Sequence, residues 1–187
     1  MAKAHLRIGA CLSLTGRFAR FGSQAANALW VWRRLDGAAD VVIEDDMSDP
    51  EAVEAALGRA AARCDVLLGP YSTQLVRRAG RVAAESGWLL WNHGGSGDDV
   101  EAANPGHVVS ILTPTSRYAA PFLRWLVDKG VHGPLWVVHG EGRFGRQVAG
   151  GAAATARRLG IETVVAGPRD EPKPLRPPWY LFSAGTF

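Results

Sequence analysis

The sequence predicts an α/β protein in which a parallel sheet flanked by helices is followed by a second, partial α/β lobe. Three observations support this class. Short apolar segments typical of buried strands alternate with longer segments whose apolar residues recur at helical spacing. The strands are followed by turns rich in glycine and small polar residues. The chain has 187 residues, 47% of them hydrophobic and 21% charged, which is ordinary for a globular protein.

The first two strand-helix units lie in the N-terminal third of the chain. A strand at residues 6–14 is followed by a segment at 17–35 whose apolar residues have helical spacing. A short strand at 41–43 ends at the acidic run Glu-Asp-Asp at 44–46. The sequence Ser-Asp-Pro-Glu at 48–51 predicts the next helix start, because it combines a capping side chain, a proline suited to the first helical position and an early acid.

The third and fourth units contain the stretch around which the chain is organised. A strand at 64–68 is stopped by a Gly-Pro pair, and the polar turn that follows opens a helix running to about Ser86. A strand at 87–91 then has the exit loop 92–97, and a helix is expected to complete this unit too. Ligands bind at the carboxyl ends of strands in open α/β sheets. We therefore expect these two turns to form half of a binding cleft for a small polar or anionic molecule.

A second lobe is predicted after a fifth strand at 107–112. The segment Thr-Pro-Thr-Ser at 113–116 fits a crossover, because proline fixes an extended link and the hydroxyl residues can cap a helix. We place the domains at 1–114 and 115–187. The second lobe is then expected to contain a helix at 117–129, a strand at 135–139, a helix at 144–159 and strands at 161–166 and 179–183.

Bulk properties weigh against several classes of protein. The net charge is only +3, and arginines form scattered pairs on predicted helices, so we favour solvated faces over a nucleic-acid patch. No apolar run approaches the roughly 20 residues needed to span a bilayer. The N-terminus leads straight into the first strand, which predicts a cytoplasmic protein or a mature form without its signal. Cys11 and Cys64 fit buried free thiols better than a disulfide.

A glycine-rich motif at 140–145 fits the GxGxxG pattern of dinucleotide-binding loops, since it follows a strand and opens a helix. In such sites an acidic residue at the end of the next strand binds the ribose. Here Glu162 lies at the beginning of that strand. An NAD(P) site is therefore the weaker interpretation, and we expect no cofactor.

Other polar motifs also have two interpretations. His-Gly-Gly at 93–95 is similar to the oxyanion loop of esterases, but the chain has no GxSxG nucleophile motif, so we do not expect a hydrolase. For His93 and His139, both at strand exits, we favour hydrogen bonding over metal binding. For the acidic run 44–46 we favour capping of the strand exit over a cation site.

Short motifs in order along the chain carry a family resemblance. They are Leu-Ser-Leu-Thr-Gly at 12–16 with Phe-Gly at 21–22, the acidic run 44–46 with Asp-Pro at 49–50, Leu-Gly-Pro at 68–70 with Ser-Thr at 72–73, and Arg-Phe-Gly at 143–145. Together they resemble type I periplasmic binding proteins, specifically the branched-chain amino acid and amide group of ABC transporter receptors. The resemblance implies two lobes that close on a ligand and perform no chemistry.

The resemblance also implies roles for individual residues. Ser72 and Thr73, with nearby backbone amides, would take the carboxylate or carbonyl of the ligand. The loop residues 94–96 would contact its polar head, and Phe21 would pack over it. Phe144, where the family often has tyrosine, would close the other side. The predicted ligand-binding residues are Phe21, Tyr71, Ser72, Thr73, Gly94, Gly95, Ser96 and Phe144.

The function that the resemblance implies is that of a solute-binding component of an ABC-type transporter. It would bind a small amino acid, amide or related carboxylate between two lobes, work with permease subunits and reside in the periplasm. Such receptors are about twice as long as this chain, so we expect a truncated second lobe whose sheet edge invites self-association. The alternatives are a cytoplasmic ligand sensor of the same fold and an NAD(P)-dependent Rossmann enzyme.

Overall fold

The computed structural model describes residues 6–37, 39–131, 133–170 and 180–184. The chain divides into two compact units, residues 1–112 and residues 113–187. Each unit contains a parallel sheet with helices packed on it. The predicted α/β class is therefore confirmed.

The first unit is a five-stranded parallel sheet. Its strands are β1 (Leu6–Leu12), β2 (Ala39–Asp45), β3 (Val66–Leu68), β4 (Leu90–Asn92) and β5 (Val108–Ser110). Its helices are α1 (Ala19–Asp36), α2 (Pro50–Ala61) and α3 (Thr73–Ser86). The strand order is β2-β1-β3-β4-β5. Because all neighbours are parallel, every strand ends at the same edge of the sheet, and β1, β3 and β4 end side by side.

Strand β1 has helices on both of its faces. Successive side chains of a strand point to opposite sides. Cys11 packs with buried residues of α2 and α3, whereas Ala10 and Leu12 pack with Ala26 of α1. Cys11 is a buried free thiol, as predicted, whereas Cys64 is free but only half-buried. The apolar run of β1 is thus explained by burial on both sides.

Helix starts in the first unit follow the predicted capping chemistry. The Asp49 side chain accepts a hydrogen bond from the Glu51 amide at 3.0 Å, and Pro50 occupies the first turn of α2. This confirms the helix start predicted at 48–51. Helix α3 is capped by the Ser72 hydroxyl, which accepts from the Leu75 amide at 3.3 Å.

Two elements in the C-terminal half of the first unit depart clearly from the predictions. The predicted strand at 87–91 begins later, because Gly87 caps α3 in a left-handed conformation with φ of 71° and Trp88 still bonds to Ala83. The helix expected after β4 is absent from the described residues, where the segment 98–106 forms turns. The backbone hydrogen bonds of this segment close single turns and do not form a helical series. Proline at 105 and glycine at 106 then prevent a helix from continuing.

The second unit is a three-stranded parallel sheet with helices packed on it. Its strands are β6 (Leu135–His139), β7 (Thr163–Ala166) and β8 (Tyr180–Ala184), in the order β7-β6-β8. A 3₁₀ turn (Thr115–Arg117) precedes helices α4 (Ala120–Asp128) and α5 (Arg143–Arg158). Helix α4 begins three residues later than predicted, because Pro121 fits only the first turn of a helix. Trp179, the predicted start of the last strand, lies outside the described residues.

Two adjacent glycines of α5 have opposite surroundings. A Cβ atom added at Gly151 would overlap the carbonyl oxygen of Ser116, whereas one added at Gly150 would meet nothing within 4 Å. Gly151 therefore lets α5 approach the 3₁₀ turn closely. Gly150 has no such contact and only weakens the helix.

We expect Gly150→Ala and Gly151→Ala to change stability in opposite directions. Alanine at 150 should raise the free energy of unfolding by about 0.5–1 kcal/mol, the usual gain in helix propensity. Alanine at 151 should lower it, since the 3₁₀ turn must move away from α5. Urea unfolding followed by circular dichroism measures both variants, and equal effects at the two positions would contradict this packing.

Candidate ligand-binding site

The exit loops of β3 and β4 are joined beyond the ends of the two strands. Tyr71 and Gly94 form a parallel bridge, and the Ser72 amide donates to the Gly94 carbonyl at 2.9 Å. The Gly97 amide donates to the Thr73 hydroxyl oxygen at 3.1 Å. The two loops that the sequence singled out therefore form one continuous surface at the carboxyl edge of the sheet.

Aromatic rings connect this surface to the start of α1. The Tyr71 ring stacks on Phe21, with ring centroids 4.2 Å apart and planes 8° from parallel. Phe18 contacts the same tyrosine at 5.7 Å, and the Arg17 guanidinium lies 5.1 Å from the Phe18 ring centroid. Phe21 is 40% exposed, so the stack offers an apolar face to a bound molecule.

Ser72 adopts a strained backbone at the start of α3. Its φ of 87° and ψ of 143° are rare for a residue other than glycine, and such strain clusters at functional sites. The hydroxyl oxygens of Ser72 and Thr73 accept from Leu75 and Gly97, which leaves their hydroxyl hydrogens able to donate. The amides of Thr73 and Gln74, in the first turn, have no carbonyl partner within the helix. These groups together suit an anionic oxygen.

The side chain of Asn92 holds the β4 exit loop. Its Oδ1 accepts from the amides of Gly94 at 3.1 Å and Gly95 at 2.8 Å. Its Nδ2 donates to the Gly95 carbonyl at 2.7 Å and to the Ser110 hydroxyl at 2.9 Å. Asn92 is fully buried. Because these bonds occupy the two glycine amides, a ligand could bond to either amide only by displacing the Asn92 side chain from it.

Gly94 and Gly95 also have a packing role in this loop. A Cβ atom at Gly94 would lie 2.6 Å from the Tyr71 backbone, and one at Gly95 would lie 2.7 Å from Val76 Cγ2. Both glycines are needed for close packing of the loop against the neighbouring turn. Their role in accepting from or donating to the polar head of a ligand, which the family resemblance implies, stays a prediction.

The acidic run 44–46 is bonded to the protein's own groups. Asp45 accepts from the Leu14 and Met47 amides, both at 2.8 Å, and from the Thr15 hydroxyl at 2.7 Å. Asp46 accepts from the Ser13 hydroxyl at 2.6 Å and from the Ser48 amide at 2.8 Å.

Glu44, the third residue of the acidic run, pairs with Arg59 at 2.7 Å and with Arg63. All three carboxylates of the run thus tie the ends of β1, β2 and α2 together.

The two aspartates have opposite pKa shifts. Burial raises the pKa of Asp46 above its ordinary value of 3.8, despite the bonds from Ser13 and Ser48. Burial also acts on Asp45, but hydrogen bonds from Thr15, Met47 and Leu14 outweigh it and lower the pKa of that carboxyl. Asp46 is therefore costly to ionise in the folded chain, and Asp45 is stabilised in its ionised form.

The structure places the predicted site residues in two groups. Phe21, the turn 71–73 and the loop 94–96 lie at the carboxyl edge of the first unit. Phe144 lies in the second unit, at the second position of α5, where its ring meets Tyr118 edge to face at 5.9 Å.

Sequence reasoning missed Asn92 and Phe18 as parts of the site. An asparagine at the last position of a strand, followed by His-Gly-Gly, is the signal that could have indicated Asn92.

The glycine-rich motif at 140–145 has a packing explanation. The Gly140 amide donates to the Ala184 carbonyl at 3.1 Å, and a Cβ atom at Gly145 would lie 2.8 Å from the same oxygen. Glu162 precedes β7 and so lies at the opposite edge of the sheet from the motif. Strand β7 itself carries no acidic residue, and the first acid after it, Asp170, accepts from the Gly167 amide at 2.6 Å.

The two histidines at strand exits differ in their surroundings. Burial lowers the pKa of His93, although hydrogen bonds act against this shift. His139 lies with Nδ1 2.8 Å from the Gly140 carbonyl. Within the described ranges, no group of three His, Cys, Asp or Glu side chains could hold a metal ion.

Comparison with known proteins gives the following similarities. A family model described as periplasmic binding protein matches residues 5–174. An ABC transporter substrate-binding protein from Sphaerobacter thermophilus is similar with a TM-score of 0.76 and 15% identity, over 89% of this chain and 49% of that one. No curated protein sequence matches the chain.

Two further solved structures contain ligands. A solute-binding protein of an ABC transporter from Rhodopseudomonas palustris BisB5, in complex with 3,4-dihydroxybenzoic acid, gives a TM-score of 0.71 at 15% identity, over 86% of this chain and 46% of that one. An ABC transporter substrate-binding protein from Desulfitobacterium hafniense, in complex with Leu, gives a TM-score of 0.66 at 17% identity, over 89% of this chain and 51% of that one. The chain thus spans about half the length of these proteins.

We expect Asn92→Asp to destabilise the first unit by about 2 kcal/mol or more, because it removes two donors and buries a charge beside the Gly95 carbonyl. Asn27→Asp on the exposed side of α1 is the matched control and should change stability by no more than about 0.5 kcal/mol. Urea unfolding at neutral pH compares them. Equal stability of the two variants would show that Asn92 does not hold the loop.

We expect Asp46→Asn and Asp45→Asn to change the pH dependence of stability in opposite ways. The pKa of Asp46 is higher in the folded chain, so its contribution falls as the pH rises above about 4. Wild type should therefore gain stability relative to Asp46→Asn as the pH falls from 7 to 4. The pKa of Asp45 is lower in the folded chain, so wild type should lose stability relative to Asp45→Asn below about pH 4. Urea unfolding measured at a series of pH values from 7 to about 3 tests both signs.

Proposed function

This chain belongs to the periplasmic binding protein family, and we propose that it is a receptor that binds a small carboxylate-bearing molecule without catalysing a reaction. The fold and family that the sequence motifs resembled are thereby confirmed. The ligand, the absence of chemistry and the transport context are parts of the proposal.

The observation that carries the proposal is the donor arrangement at the start of α3. The hydroxyl groups of Ser72 and Thr73 lie beside the first-turn amides of residues 73 and 74. Amides at a helix start favour negative charge, both by hydrogen bonding and through the helix dipole. A carboxylate has two oxygens, each able to accept more than one of these hydrogens.

The class of ligand follows from the chemistry beside these donors. The stacked rings of Phe21 and Tyr71 offer an apolar surface next to them. A molecule with a carboxylate at one end and an apolar or aromatic body would satisfy both. Leucine and 3,4-dihydroxybenzoic acid, the ligands of the two solved proteins, are of this kind. We therefore propose an amino acid, an amide or a related aromatic carboxylate.

The transport context is proposed from the family. A receptor of this kind would reside in the periplasm and deliver its ligand to the permease subunits of an ABC transporter. Among the described residues, no helix is long and apolar enough to cross a membrane.

We expect Ser72→Ala and Thr73→Val each to weaken ligand binding roughly tenfold to a hundredfold, the value of one hydrogen bond to a charged group. Isothermal titration of the full chain with leucine, 3,4-dihydroxybenzoate and NADH measures the affinities. Thr163→Val, on β7 of the second unit, is the matched control and should bind like wild type. Binding of NADH alone, or equal affinities for Thr73→Val and the control, would contradict the proposed site.

A further inference from the structure

A second concave surface lies entirely within the second unit. It is a hollow of about 640 Å³ between the segment 113–124 and helix α5. Its lining includes Arg117, Arg124 and Arg158 and the hydroxyl residues Ser116 and Thr155, and it includes no carboxylate. We define these residues with Gly151 as the arginine hollow. The family motifs in the sequence do not include it.

Two walls form the hollow. Gly151 and Arg158 are two helical turns apart on α5 and lie on one side of it, whereas Arg117 of the 3₁₀ turn and Arg124 of α4 line the other wall. Small residues between them leave the space open: Ala120 on one side and Ala154 on the other line the hollow. Gly151 sets the depth, because its missing side chain allows α5 to touch the Ser116 backbone.

The charge of the hollow is not neutralised by the described part of the protein. Arg117 and Arg124 form no ion pair with any described carboxylate. Arg158 donates a hydrogen bond to the Thr155 hydroxyl at 3.1 Å, which orients its guanidinium over the hollow rim. Elsewhere in the chain arginines such as Arg59, Arg77 and Arg78 do have carboxylate partners. Three exposed arginines therefore share one concavity whose lining contains no acid.

We propose that the arginine hollow is a binding site for a small molecule that carries a phosphate group. A guanidinium group matches phosphate oxygens through two parallel hydrogen bonds. A phosphate monoester carries close to two negative charges and three terminal oxygens, so it can satisfy more than one arginine, whereas a carboxylate carries one charge. The site is independent of the ligand proposed for the first unit.

The test uses the full chain and inorganic phosphate as the probe, titrated calorimetrically at constant ionic strength. Wild type should bind phosphate saturably and acetate at least tenfold more weakly. Arg124→Gln and Arg158→Gln should each reduce phosphate affinity at least tenfold. Arg157→Gln is the matched control, because it also removes one positive charge and Arg157, the residue before Arg158 in α5, does not line the hollow. Its phosphate affinity should stay within twofold of that of wild type.

A second variant separates the shape of the hollow from its charge. Ala154→Leu keeps every arginine and fills the hollow, so it should also reduce phosphate affinity at least tenfold. Thermal unfolding of each variant confirms that it is folded. The proposal is overturned if wild type shows no saturable phosphate binding, if acetate binds equally well, if Arg157→Gln weakens binding as much as Arg158→Gln, or if Ala154→Leu binds like wild type.

Discussion

The candidate ligand surface depends on the buried side chain of Asn92. It satisfies the amides of the half-buried Gly94 and the buried Gly95, and leaving the Gly95 amide without a partner would cost about 1–3 kcal/mol. With the loop held in this shape, Gly94 pairs with Tyr71 and accepts from the Ser72 amide. The position of the first turn of α3 relative to the β4 exit loop therefore depends on Asn92. This side chain has a structural role that requires no contact with a ligand.

A second set of bonds fixes the opposite side of the same surface. Asp46 accepts from the Ser48 amide, and this serine holds a positive φ of 60°. The Ser48 hydroxyl in turn accepts from the Phe18 amide at 2.9 Å, just before α1 begins. The start of α1 then places Phe21 against Tyr71. The strained backbone at Ser48, after the end of β2, is thus stabilised by its hydrogen bond to the buried Asp46 carboxylate. Through Ser48 and the start of α1, this bond fixes the position of the Phe21–Tyr71 stack.

The sequence alone was sufficient for features set by local chemistry. Strand and helix periodicity predicted the parallel sheet, and the Asp49-Pro50 pair predicted the start of α2. Features set by tertiary contacts were missed. The bonds of Asn92 to the Gly94 and Gly95 amides are local and have a signal in the sequence at 92–95, whereas its bond to the Ser110 hydroxyl has none. The sequence places Glu162 at a strand start, but only the strand pairing shows that this is the edge opposite the glycine motif. The late start of α4, by contrast, follows from the local restriction that Pro121 places on the helix.

The two candidate sites use different physics to attract an anion. The first unit presents hydroxyl and amide hydrogens, which are neutral donors with fixed directions, beside an aromatic stack. Such donors select a ligand by geometry, and their strength depends little on ionic strength. The arginine hollow presents exposed charges on flexible side chains, and attraction by exposed charges is screened within about 10 Å at 0.1 M salt. The affinities of the two sites should therefore respond differently to salt. Raising the salt concentration should weaken anion binding to the arginine hollow far more than anion binding at the start of α3.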